Sequence, residues 1–304
     1  MQITQPNLNA IFNAFDLRFQ LAYQGAKPWY MQVATEVPSK TTQQTYAWMA
    51  KIPRLREWVG ERVAQNVATY GYTIVNKDYE LTEKLDRNTI EDDTVGLFNP
   101  IVDEMGLQAR LWPDDLLTTL LQTGESTLCF DGQNFFDPNH PIDKRNPALG
   151  TQSNYFTGKP LTPDNYAFVR TQMMSFKGED GKPLYVNPNL LVVPPQLEQP
   201  ARLILNADMI PNAAGTAPQT NIYKGSAELL VVPQLSAQPT QWYLLDTSRP
   251  VRPFVFQLRE PPQFTYLNNP TDINVFQRRE YLFGVHARGN AGYALWFLGA
   301  KATA

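Results

Sequence analysis

Two histidines and one cysteine bound the chemistry that this 304-residue chain can do. His140 lies in the run Asp137-Pro138-Asn139-His140-Pro141, with Asp143 just beyond. A histidine beside a carboxylate can serve as a general base, so one reading is a hydrolase using His140 with Asp137 or Asp143. Against it, a lone histidine in a proline-flanked loop ordinarily serves turn structure or hydrogen bonding. His286 falls in a predicted strand, and neither histidine has metal-ligand spacing to another histidine or to Cys129. The single cysteine also excludes an internal disulfide and any zinc site built from two or more thiolates. Nucleophile-elbow, zincin, calcium-loop and P-loop patterns are absent from the sequence. Gly178-Glu179-Asp180-Gly181-Lys182-Pro183 places Pro183 where a P-loop needs a hydroxyl, so it reads as a turn. Gly284, Gly289 and Gly292 miss dinucleotide-binding spacing and suit a strand with a hairpin near Arg288 to Gly292. No cofactor and no metal site is expected.

A second constellation runs from Trp48 to Arg62, where Trp48 and Trp58 are interleaved with Lys51, Arg54, Arg56 and Arg62. Charge and stacking together could hold a single nucleic-acid strand, which makes a single-stranded nucleic-acid-binding protein another alternative. Glu57 and Glu61 sit in the same stretch and oppose it. A protein-protein contact is the better reading, because tryptophan and arginine often anchor such interfaces.

Composition narrows the field. With 26 basic and 29 acidic residues the formal charge is −3, unsuited to a chain whose main work is neutralising phosphates. The 43% apolar content is ample for a core. Residues 1 to 9 lack the basic lead and apolar stretch of a signal peptide, and aliphatic runs are as short as Leu190 to Val193, so no membrane partner is expected. The 25 prolines, scattered without low-complexity tracts, predict short strands and long excursions.

The elements that must position these groups follow from periodicity. Leu8, Ile11, Phe12, Phe15 and Phe19 recur at helical spacing and predict an amphipathic helix, docked on the chain's own core or on a neighbouring subunit. Pro38 to Asp93 predicts a long two-stranded excursion, which must lean on something because an isolated hairpin is marginal in water. Ile90 to Gln122 predicts a long helix, bent or broken near its prolines, with Pro113 opening a second segment and Gly124 closing it. Asp92 and Asp93 are placed near its start, where the helix dipole favours them. Asp131-Gly132 marks a hairpin turn, Asp164 to Phe176 a helix, and Leu190 to Val193 and Leu229 to Val232 buried strands. Strands are then expected at Trp242 to Leu245, Phe254 to Leu258, Phe264 to Leu267, Tyr281 to Arg288 and Tyr293 to Leu298. Helices and strands are grouped instead of alternating, which is an α+β chain.

Several strings, read in order, resemble the Mu-like phage major head subunit family. They are Tyr46-Ala47-Trp48-Met49, Pro53 through Arg62, Ile90-Glu91-Asp92-Asp93, and Cys129 through Asp137 followed by His140-Pro141. Leu190 to Pro194, Trp242 to Asp246 and Arg252 to Arg259 continue the series. The resemblance spans most of the chain, and none of its strings is a catalytic signature.

It implies a Hong Kong 97-type capsid fold and a shell-building protein that is not an enzyme. Residues 1–40 would form an N-terminal arm, 41–90 an extended loop, 91–160 and 246–304 a peripheral lobe with a spine helix, and 161–245 an axial lobe. Phe12, Phe15, Phe19, Trp48, Arg56, Trp58 and Arg62 are the expected inter-subunit contacts. The implied partners are further copies, as hexameric and pentameric capsomers, together with scaffold or protease, portal and decoration proteins. Packaged double-stranded DNA would be held non-specifically, and the subunit would reside in the virion after assembly in the host bacterial cytoplasm.

Overall fold

The computed structural model describes residues 2–49, 69–92, 94–211 and 217–304. In chain order they form α1 (Gln5–Gly25), the short turn α2 (Tyr30–Val33), β1 (Ala34–Pro38), β2 (Gln43–Met49), β3 (Thr69–Val75), β4 (Lys77–Asp86), α3 (Arg87–Glu91) and α4 (Asn99–Thr123). Short strands β5 (His140–Pro141), β6 (Thr151–Gln152) and β7 (Tyr155–Phe156) precede α5 (Pro163–Met174), β8 (Leu190–Val193) and α6 (Glu198–Asn206). Then come β9 (Met209–Pro211), β10 (Pro218–Thr220), β11 (Glu228–Val231), β12 (Gln241–Leu245), β13 (Phe254–Leu267), α7 (Ile273–Arg278), β14 (Glu280–Tyr293) and β15 (Gly299–Thr303).

Two sheets organise the chain. One has the order β1-β13-β14-β4, with β1 parallel to β13 and the other pairs antiparallel. The other has the order β11-β8-β12-β15-β7, with β11 parallel to β8 and β7 parallel to β15. Every residue of β8 and four of the five in β12 are buried, because helices and loops cover that sheet on both sides. Since β15 pairs with β12, this second sheet draws strands from both sides of the expected lobe border at residue 246.

Helix α4 serves two cores. Val102 and Met105 join Leu8, Phe12, Phe15 and Phe19 of α1 and Tyr281, Phe283 and Val285 of β14. About three to five turns further on, Leu117 and Leu121 join Phe135, Tyr243, Phe254 and Tyr293. Its 25 residues span about 37 Å at 1.5 Å per residue, enough to bridge both cores. Contrary to the expected break, α4 runs through Pro113 as one helix. A proline there removes one backbone hydrogen bond, and packing along both cores outweighs that loss. Gly124 does close it. Asp92 caps the C-terminal end of α3 and does not open the long helix; Asp93 lies outside the described residues.

Two further departures share one cause. The predicted strand pieces at 254–258 and 264–267 are one strand, β13, with register shifts at Leu258/Glu260 and Glu260/Gln263 that absorb Pro261 and Pro262. Likewise β14 runs straight through the predicted hairpin at 288–292. Its glycines permit close approach: a Cβ on Gly289 would stand 2.5 Å from the Gln257 carbonyl oxygen, and one on Gly292 would stand 2.6 Å from Ile74 Cδ1. Trp296–Leu298 is a single 3₁₀ turn.

Among the described residues no helix is long and apolar enough to cross a membrane.

Candidate assembly interface

The excursion predicted between residues 41 and 90 is a shorter element than expected. Strands β2 and β3 pair antiparallel in the register Gln43↔Val75 to Met49↔Thr69. Lys77–Asp86, the second half of the expected loop, is instead the edge strand β4 of the first sheet, paired with β14. One residue, Asn76, separates the hairpin from that sheet.

Alternation divides the hairpin into a root and a free face. Tyr46, Tyr72 and Ile74 turn towards Val255, Ala294 and Val37, forming a small satellite core on the first sheet. Gln43, Thr45, Ala47, Gly71 and Thr73 face outward and are exposed. Thr45 and Thr73 hydroxyls bridge the two strands at 2.8 Å on that face. At the root the Tyr46 hydroxyl donates to Gln257 Oε1 at 2.9 Å, and burial pushes its pKa up to about 12, so it remains a donor. Among the described residues this two-stranded ribbon packs through its root and keeps one face wet.

Trp48 lies in β2, whereas Arg56, Trp58 and Arg62 lie outside the described residues, as does most of the Trp48 to Arg62 stretch. Phe12, Phe15 and Phe19 are placed plainly: their side chains are 0, 2 and 0% exposed, within the chain's own core. Of the two dockings open to the aromatic stripe, the helix adopts the internal one. Phe12 stacks on Tyr266 at 5.1 Å, and Phe15 tilts against Phe283 at 5.4 Å. Gly106 allows α4 to come this close, since a Cβ there would meet the Phe19 carbonyl oxygen at 2.6 Å. What α1 shows to solvent is its other side, where Leu17 and Leu21 are 62 and 63% exposed.

A buried carboxylate ties the segment after α1 to α4. Asp114 of α4 accepts from the Tyr30 backbone N–H at 2.7 Å and from that of Trp29 at 3.1 Å, capping the turn that leads from α1 into β1. Desolvation raises its pKa to about 6, against the lowering pull of those two N–H groups. No sequence signal marked this residue, because its partners lie far away in the chain.

The histidine chemistry is closed off. His140 is fully buried, with Nδ1 2.6 Å from Asp131 Oδ2 and Nε2 3.3 Å from the Phe135 carbonyl oxygen. Its ring stacks on Trp296 at 4.0 Å. The carboxylate beside it is Asp131; Asp137 instead closes a turn on the Asn139 N–H, and Asp143 one on the Arg145 N–H. Both ring nitrogens thus face protein oxygen atoms inside the fold. Lys301 is another buried charge, paired with Glu125 and set against the Tyr243 ring, and desolvation lowers its pKa. Among the described residues no group of His, Cys, Asp or Glu could hold a metal ion.

The comparisons with known proteins agree with an assembling chain. The family model of the Mu-like prophage major head subunit gpT matches residues 8–160, 152–235 and 236–304. The major capsid protein of Escherichia phage Mu is 30% identical over 97% of this chain and 73% of its own length. The procapsid of bacteriophage JBD30 contains a chain 32% identical, with a TM-score of 0.62 over 99% of this chain and 76% of that one. The JBD30 capsid decorated with minor capsid protein trimers contains one that is 28% identical, with a TM-score of 0.59 over 71% of this chain and 93% of that one. The architecture is the Hong Kong 97-type capsid fold, and neither the hydrolase nor the nucleic-acid-binding alternative finds support. The chain belongs to the Mu-like prophage major head subunit family, whose members are the major capsid proteins of Mu-like phages.

Proposed function

We propose that this subunit closes an icosahedral head around double-stranded DNA, joining its neighbours chiefly through the β2–β3 hairpin and catalysing no reaction. The observation that carries this is the hairpin's division into a buried root and an exposed face. In this reading α1 and β1 are the N-terminal arm, the hairpin the extended loop, the first sheet with α4 the peripheral lobe, and the second sheet the axial lobe. The subunits gather as hexameric and pentameric capsomers, with Trp48, Arg56, Trp58 and Arg62 as contacts. Many modest contacts then sum to a durable shell.

The near-neutral charge suits a wall that contains DNA without gripping it, since a strongly basic lining would bind phosphate tightly. Scaffold or protease, portal and decoration proteins complete the partners, and assembly takes place in the host bacterial cytoplasm. The sealed His140 site supports a role without turnover. Negative-stain microscopy and sedimentation of the expressed chain, with head partners supplied, test the proposal. Closed megadalton particles are expected, and a chain that stays monomeric overturns it.

A further inference from the structure

The hairpin is fastened to the sheet by a buried polar clamp. Gln257, near the start of β13, is fully buried. Its strand neighbours Phe254 and Phe256 point into the larger core, so Val255 and Gln257 point to the opposite face, where the hairpin root lies. Hydrophobic side chains fill the rest of that small core, yet this position holds an amide. Its three bonds all go to the hairpin or its exit. Oε1 accepts from the Tyr46 hydroxyl of β2 at 2.9 Å, while Nε2 donates to the Ile74 carbonyl of β3 at 3.4 Å and to Asn76 Oδ1 at 2.6 Å.

Asn76 carries the clamp to the other crossing. Its Nδ2 donates to Ser39 Oγ at 3.0 Å and to the Thr41 carbonyl at 2.8 Å, and its backbone N–H reaches the Thr42 carbonyl at 2.9 Å. Residues 39–42 are where the chain enters the hairpin, and Asn76 is where it leaves. Asn290 of β14 adds a bond from its Nδ2 to the Val75 carbonyl at 2.8 Å. Gly292 leaves room for Ile74 and Tyr72 to lie against β14. Apolar contact alone would let the root slide or tilt, because it has no direction. Amide hydrogen bonds are directional, and a buried one left unmade is costly, so this set admits one hairpin orientation.

We infer that Gln257 and Asn76 are positioning residues for assembly: they set the angle at which the hairpin leaves the sheet before any neighbour is met. A hairpin held in its docked direction binds without the ordering cost that a swinging one would incur. The inference rests on the proposed role of the hairpin as the inter-subunit element.

The test combines a local and a global readout in Gln257→Leu and Asn76→Ala, with Tyr46→Phe as a milder variant that removes one hydroxyl should either of the others fail to fold. Spin labels at exposed positions, introduced as T45C on the hairpin and E80C on β4, report the hairpin-to-sheet distance in the unassembled chain. Electron microscopy reports particle uniformity, at a temperature where circular dichroism shows the variant folded. The expected result is a broadened distance distribution together with loss of uniform shells in favour of irregular or open particles. An unchanged distribution overturns the clamp. A broadened distribution with normal shells leaves the clamp standing locally and overturns the hairpin's role in assembly, so the two failures are told apart.

Discussion

Helix α1 and the hairpin β2–β3 present the same problem to a folding chain, and they solve it in opposite ways. Each is a thin element with an apolar side that cannot be buried alone. In α1 the stripe Leu8, Phe12, Phe15 and Phe19 finds a matching surface at once, between α4 and β14. Among the described residues of the hairpin, Tyr46, Tyr72 and Ile74 do so, while Gln43, Thr45, Ala47, Gly71 and Thr73 stay in water. The difference lies in periodicity and length. A helical stripe gathers four large side chains on one line that a helix and a sheet can cover together. A two-stranded ribbon presents a narrow face, one side chain wide per strand. Internal burial makes α1 part of the stable body, while the described part of the ribbon keeps one face in water.

The largest effect that would sharpen this contrast is Phe12→Ala. Removal of a fully buried aromatic ring is expected to cost about 3–5 kcal/mol in denaturant unfolding. A loss below about 1 kcal/mol would show that α1 is not integral to the core and would break the comparison. Asp114→Ala comes next. It leaves the Trp29 and Tyr30 N–H groups without their acceptor, at about 1–3 kcal/mol in the same measurement.

The pH dependence of Asp114 is subtler and its sign is definite. Its folded pKa, about 6, lies above the unfolded value of 3.8, so the folded state holds the proton more tightly. That contribution to stability is fully present below the unfolded value and is lost as pH rises through about 6. Facing it are Asp115, which raises its pKa, and Arg110, which lowers it. Thermal melts between pH 4 and 7 should therefore show a declining stabilisation that Asp114→Ala abolishes; parallel curves for the two proteins would refute the burial argument. The smallest effect is expected on the hairpin's free face. Thr45→Ala removes the bridge to Thr73 and should shift stability by less than about 1 kcal/mol, since one exposed cross-strand pair is at stake. A larger loss in melts of the unassembled chain would mean that the ribbon belongs to the folding unit as fully as α1 does.

How much of this was legible in the sequence depended on whether the signal was local. The aromatic stripe of α1, the turns at Asp131-Gly132 and Gly178 to Lys182, and the buried strands β8 and β12 were readable because periodicity and turn residues act over a few positions, while β11, expected to be buried, is a half-buried edge strand. Gly132 and Gly181 take positive φ values of 83° and 70°, as those turns demand. Strands β13 and β14 were misread as fragments, for prolines and glycines are local punctuation, whereas their tolerance within a strand depends on bulges and on what lies across the sheet. The carboxylates nearest His140 in the chain, Asp137 and Asp143, were the readable partners, whereas the one that meets its ring is Asp131, brought there by the fold.

What the amino-acid sequence determined by itself was the family, the α+β character and the amphipathic elements, because each is written in strings and spacings that need no partner. The hairpin in which the excursion was foreseen became an oriented element only in the tertiary structure. Its direction rests on Gln257 and Asn290, more than 180 residues from the bonds they make with Ile74, Val75 and Asn76, and its shortness rests on β4 pairing with β14. Hydrogen bonds and strand pairs across such separations depend on where the whole chain places its backbone, and no local pattern records that.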